Sequence, residues 1–107
     1  MSEFAKISTL ASTCGIPVIP HVWGCAVTIA LNMHLIAALP DAPGGLFQFE
    51  PMLEYDTTPN HFRESLLSEP LDVLAQVRSS GGWVTVPDKP GIGVGLDEAF
   101  VRKYRVN

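Results

Sequence analysis

Four residues, Ile16-Pro17-Val18-Ile19, form a nearly unbroken apolar run closed by Gly15 on one side and Pro20 on the other. A run this short and this apolar predicts a strand covered on both faces, as in a parallel sheet lying between layers of helix. His21 follows at the strand's carboxyl end. Ligands and catalytic groups collect at that edge of α/β folds, because the loops there vary while the strands hold them still. Taken alone, a histidine in this place fills a turn at least as readily as it does chemistry.

The flanking segments extend the pattern. Residues 2–14 read as a helix: Ser2 is a plausible N-cap, Glu3 suits the positive end of the helix dipole, and Gly15 suits the position just past the end. Phe4, Ile7, Ala11 and Cys14 share one face at helical spacing. Residues 24–39 read as a second helix, stopped by Pro40. Thr28 and Asn32 mark its one narrow polar strip, so it is expected to be covered on most of its circumference. His34 lies within it and reads as a packed or rim side chain rather than a ligand. Residues 40–45 read as a loop, and 46–53 are ambiguous. Met52-Leu53-Glu54-Tyr55-Asp56 reads as the next short strand, again ending in polar groups.

Beyond it, residues 57–60 form a turn and 62–67 a helical turn or two. Residues 72–82 carry little signal. Trp83-Val84-Thr85-Val86 is a β-rich run, 87–91 a turn, and 92–96 a segment able to pair back as a hairpin. Asp97 caps a last helix, 98–104. Gly91-x-Gly93-x-Gly95 is not a nucleotide loop, because its spacing is wrong and it does not open a helix after a strand. Helix, strand, helix, strand implies parallel β/α units. Two strands neither close a barrel nor make a covered sheet, so the pattern belongs to something larger.

Composition narrows the function. Of 107 residues, 47% are hydrophobic and 17% charged, which is apolar for a chain with so much surface, and predicts that some of that surface meets a partner. A net charge of −4 and the lack of any Lys/Arg run argue against nucleic acid. The segment 25–39 contains Asn32 and His34 and is too short to span a bilayer with ease, and the amino terminus has no secretory pattern. Cys14 and Cys25 flank the expected strand, roughly 15–20 Å apart at ~3.3 Å per residue. A disulfide needs Cα atoms within about 7 Å. Two free thiols suit a cytoplasmic protein.

Three stretches, Gly15 to Gly24, Leu53 to Asp56 and Gly82 to Val94, resemble the carboxy-terminal part of the enolase superfamily. The similarity is to its mandelate racemase / muconate lactonizing enzyme branch, especially the acid-sugar dehydratase-like members. The Pro87-Asp88-x-Pro90-Gly91-x-Gly93-Val94 core is the most specific element. The resemblance implies an α/β fold: a partial TIM barrel comprising the last β/α units, followed by a β-hairpin and a short helix. Residues 1–80 are then the barrel part and 81–107 the segment returning to a capping domain. It also implies that 16–21 is the seventh barrel strand and 52–56 the eighth.

The implied chemistry is abstraction of a proton alpha to a carboxylate, with the enediolate held by Mg²⁺. His21 matches the seventh-strand general base, and Glu54 the eighth-strand acid that hydrogen-bonds the substrate carboxylate and the developing oxyanion. Trp23 and Asp56 are neighbours with no role assigned. The family's three metal carboxylates, its second-strand lysine and its histidine-paired aspartate lie on strands with no counterpart in this chain. The implied substrate is a sugar-type carboxylate, the implied classes are lyase and isomerase, and no metal ligand set is expected here. The chain therefore reads as a carboxy-terminal fragment, inactive alone and self-associating into a homo-oligomer. The alternative is a small self-associating interaction module without catalysis; a complete small enzyme is the weakest of the three readings.

Overall fold

In the computed structural model, residues 1–40 and 49–106 are described, and helices account for the regular structure among them. Of the expected loop at 40–45 and the ambiguous run at 46–53, residues 41–48 lie outside the described residues. Helix α1 spans Ser2–Thr13, with Met1 rather than Ser2 as N-cap and no side-chain cap bond. It ends in two crossing backbone bonds, Ile16 N–H to Ala11 O at 3.0 Å and Gly15 N–H to Ser12 O at 3.1 Å. This closure requires a left-handed residue just past the helix, and Gly15 supplies it with φ of 66°. The expected apolar face of α1 is not buried: Ile7 is exposed, and the buried residue is Ser8.

Helix α2, Ala26–Ala37, is the centre of the molecule. Ala26, Ile29, Ala30, Met33 and Ile36 are buried at helical spacing. Fully burying a side chain such as Ile29 or Met33 contributes about 1.5–3 kcal/mol. Asn32 is buried too, and its amide donates to the Thr28 carbonyl at 2.8 Å, so the polar strip costs little. Val22 and Val73 complete the core cluster with Ile29 and Met33, and Leu53, Tyr55, Val84 and Val86 pack around it.

Helix α3, His61–Glu64, is fixed by a reciprocal cap. Asn60 Oδ1 accepts from the N–H groups of Phe62 and Arg63, and Glu64 Oε1 accepts from Asn60 N–H. Helix α4, Val73–Ser80, follows a left-handed Asp72 and ends at Gly81. Helix α5, Glu98–Tyr104, starts where Asp97 Oδ1 accepts from Phe100 N–H at 2.8 Å. Phe62, Phe100 and Tyr104 meet ring to ring at 4.7–5.5 Å and join α3 to α5.

The expected α/β partial barrel is not what the chain adopts. Among the described residues there is no β-strand, only an isolated antiparallel bridge between Leu67 and Leu96. Residues 16–21 and 52–56 carry no regular secondary structure, and no ladder joins them. A helix satisfies its backbone hydrogen bonds from its own sequence, whereas a strand needs a neighbour. The alternation of a strand nonetheless survives in 52–55: Leu53 and Tyr55 pack inward, while Met52 and Glu54 are exposed. The expected hairpin of 83–86 with 92–96 is also absent. The second segment turns instead to 66–68, with Ser68 N–H donating to Gly95 O at 3.0 Å and Asp97 N–H to Leu66 O at 2.9 Å.

Candidate functional site

His21 and Glu54 stand 33 residues apart in sequence, and the fold brings their side chains into contact. The adjoining core residues explain how. Val22, next to His21, is 2% exposed, and Leu53 and Tyr55 on either side of Glu54 pack on the same cluster. With their neighbours anchored inward, both polar side chains project to one outer face. His21 Nδ1 lies 2.9 Å from Glu54 Oε1 and 3.2 Å from Oε2, and the two side chains are 79% and 44% exposed. An imidazole against a carboxylate can take up, hold and return a proton.

A second polar cluster lies close by in sequence. Asp56 accepts from Thr58 N–H at 2.9 Å, from the Thr58 hydroxyl at 2.7 Å and from Arg63 Nη1 at 3.0 Å. The Thr58 amide and hydroxyl, followed by the Arg63 guanidinium, hold the Asp56 carboxyl down at about 2. Arg63 also donates to the Thr58 carbonyl and lies over the Tyr55 ring, with its side chain 6% exposed. Sequence reasoning missed this clamp. The available signal was Asn60 with Glu64 four residues on, which starts α3 and carries Arg63 back toward Asp56. A cavity of about 290 Å³ is lined by Ile29, Tyr55, Arg63, Leu71 and Val73 among others, but neither His21 nor Glu54 reaches it, so it is separate from the acid–base pair. Trp23 is exposed, and His34 Nε2 contacts the Ile92 carbonyl at 3.1 Å.

No group of three or more His, Cys, Asp or Glu side chains among the described residues converges in a way that could hold a metal ion. Magnesium takes near-octahedral oxygen ligation, and one imidazole with one carboxylate does not supply it. No helix among these residues is long and apolar enough to cross a membrane.

His21 and Glu54 thus form an exposed imidazole–carboxylate pair whose chain neighbours pack on the apolar core. Residues 1–100 match the enolase C-terminal domain-like family, and the chain belongs to it, within the mandelate racemase / muconate lactonizing enzyme branch of the enolase superfamily. It is 38% identical over 105 residues to D-galactarolactone cycloisomerase of Agrobacterium fabrum, covering 98% of this chain and 26% of the relative. It is 27% identical over 105 residues to arabinonate dehydratase of Saccharolobus solfataricus, covering 98% and 24%. Muconate cycloisomerase 1-1 of Acinetobacter lwoffii is 31% identical over 101 residues, covering 92% and 23%. The chain thus spans about a quarter of the length of these curated relatives. The family is generally magnesium-dependent, and the donors described here do not fit that ion by themselves.

Proposed function

We propose that this chain carries two acid–base residues of an enzyme that removes a proton alpha to the carboxylate of a sugar acid or its lactone, leading to dehydration or isomerisation. His21 accepts the proton. Glu54 hydrogen-bonds the substrate carboxylate and the oxyanion that develops as the C–H bond breaks. The observation that carries the reading is the contact between His21 and Glu54, made by two residues far apart in sequence. Support for the substrate class comes from the names of the relatives, a galactarolactone cycloisomerase and an arabinonate dehydratase. Among the described residues no donor set fits magnesium, so on this reading the activity draws on residues from outside this chain, and the chain alone is expected not to turn over.

The test is a chimera in which this chain replaces the matching quarter of the cycloisomerase. Activity in the chimera, with His21→Ala and Glu54→Gln each removing most of it, is the expected outcome. Undiminished activity after His21→Ala would end the assignment of the base.

A second reading, self-association without catalysis, is favoured by one observation. Ile16, Ile19 and Met52 are 59%, 45% and 45% exposed, in segments that join no ladder among the described residues. Apolar edges of that kind pair with another chain, most simply as a two-fold homodimer.

A further inference from the structure

Glu54 is exposed, yet the residues that follow it are held by a buried cation. Its neighbours Leu53 and Tyr55 pack on the core cluster. Apolar contacts of that kind fix depth but not rotation, because they have no preferred direction. The directional contacts come from Arg63, whose side chain is 6% exposed. Its guanidinium carbon lies 5.4 Å from the centroid of the Tyr55 ring, Nη1 donates to Asp56 Oδ2 at 3.0 Å, and Nη2 donates to the Thr58 carbonyl. One planar group thus grips the first, second and fourth residues after Glu54. Arg63 is itself set by the start of α3, where Asn60 Oδ1 accepts from its N–H at 3.3 Å, and α3 packs on α2.

Stability alone does not call for a guanidinium here. Taking the charge out of water is costly, an ion pair little more than recovers that cost, and apolar side chains of similar volume often serve as well. What an apolar side chain lacks is the flat fork of donors, which admits one arrangement of its partners.

We infer that Arg63 is the positioning residue of Glu54: by gripping Tyr55, Asp56 and the Thr58 carbonyl it fixes the rotation of residues 52–56, and with it the direction in which the Glu54 carboxyl group meets an incoming substrate. This rests on the reading of Glu54 as the group that hydrogen-bonds the substrate carboxylate and the developing oxyanion. Hydrogen bonds to a developing charge act at a set distance and angle, and a displacement of about 1 Å costs on the order of a hundredfold in rate. The Glu54 side chain has no such anchor of its own: its contact among the described residues is with His21, which is 79% exposed.

The experiment is ¹⁵N relaxation of the labelled chain, reading backbone order at Glu54 and Tyr55. Both are expected to be rigid in the unmodified chain, with order parameters of ~0.85, and to fall below ~0.6 in Arg63→Met. Arg63→Lys keeps the charge but not the fork and should loosen them as well, so it carries the test even where Arg63→Met does not fold. The methyl resonances of Ile29 and Met33 in the core should stay in place, and Lys89→Met, which removes an exposed ion pair with Glu69, should change neither readout. Unchanged order at Glu54 in either folded variant, or equal loosening at Ile29, would overturn the positioning role. In the cycloisomerase chimera Arg63→Lys should lower kcat/KM by about ten- to a hundredfold. Where Glu54 is already glutamine the same change should cost less than about twofold, since the two residues act as one unit. Equal losses in both backgrounds would likewise overturn it. Undiminished activity after Glu54→Gln would instead remove the reading of Glu54, whereas the relaxation measurement judges Arg63 without any turnover.

Discussion

Alanine at Gly93 is expected to destabilise the chain well beyond alanine at Gly15, and the difference can be worked out from neighbouring atoms. Both glycines have left-handed backbones, with φ of 74° and 66°. An L side chain in that region costs about 1–2 kcal/mol, partly offset by ~0.4–1 kcal/mol from the reduced entropy of the unfolded chain. At Gly15 nothing lies within 4 Å of the added Cβ, so Gly15→Ala should cost on the order of 1 kcal/mol. At Gly93 the Cβ would sit 2.5 Å from Pro87 Cβ and 2.9 Å from the Pro87 carbonyl carbon and oxygen. Those atoms belong to a ring and a backbone, and neither swings aside as a flexible side chain would.

Gly93 is also buried, and the turn around it is fastened at both ends: Val86 packs on the core, and the Ile92 carbonyl meets His34. Overpacking of this kind adds about 1–3 kcal/mol. Gly93→Ala should therefore lose about 2–4 kcal/mol in all. Urea unfolding followed by fluorescence is well placed to read it, since Trp83 lies in the same segment. On heating, each kcal/mol corresponds to roughly 4–8 °C in Tm for a chain of this size. If the two variants lie within about 0.5 kcal/mol of each other, the close approach of Gly93 to Pro87 is not a feature of the folded protein.

Asp56 should titrate at about 2 in a carboxyl ¹³C NMR series. Its folded value lies below the ordinary 3.8, so the stabilisation it brings is present above pH 3.8 and is lost as the pH falls through about 2. Arg63→Met should raise that midpoint yet leave it below 3.8, because the Thr58 amide and hydroxyl are the larger causes and remain; a midpoint unmoved by the substitution would contradict the ion pair. Light scattering on a size-exclusion column at micromolar concentration should show a dimer, and Ile16→Glu with Met52→Glu should shift it toward monomer. Burying a few hundred Å² of apolar edge at about 25 cal/mol per Å² favours association by several kcal/mol before entropic costs, and a monodisperse unmodified monomer would refute it. Calorimetry should find no tight magnesium site, and a micromolar Kd would contradict the donor geometry.

What the sequence disclosed was what is decided locally. The stop of α1 at Gly15, the apolar faces of α2 and the Asp97 cap of α5 each depend on residues within one or two helical turns. Helix α4 escaped because Asp72 adopts a left-handed conformation and makes no side-chain cap. Its real signal, Val73 and Val77 four residues apart, emerges only once the core they meet is known. The strands failed for the opposite reason. The run 16–19 is apolar enough for a strand, but a ladder is a property of two segments, and its partner is not specified by the run itself. Leu96 likewise pairs with Leu67 rather than with the nearer 83–86. His21 and Glu54 became candidates through resemblance; their contact spans 33 residues and no local spacing announces it.

The bridge between Leu67 and Leu96 has a kinetic consequence. It closes a loop of about 29 residues, and bringing the ends of such a loop together costs roughly 3 kcal/mol of chain entropy beyond a constant. Two backbone hydrogen bonds and the rings of Phe62, Phe100 and Tyr104 hold the ends, and they contribute only after closure. Helix α2, by contrast, satisfies its own backbone, and its contacts with α3 do not wait on the closing of that loop. The bridge and the docking of α5 should then be absent from the folding transition state. Weakening them, for instance with Phe100→Leu, should speed unfolding and leave the folding rate nearly untouched.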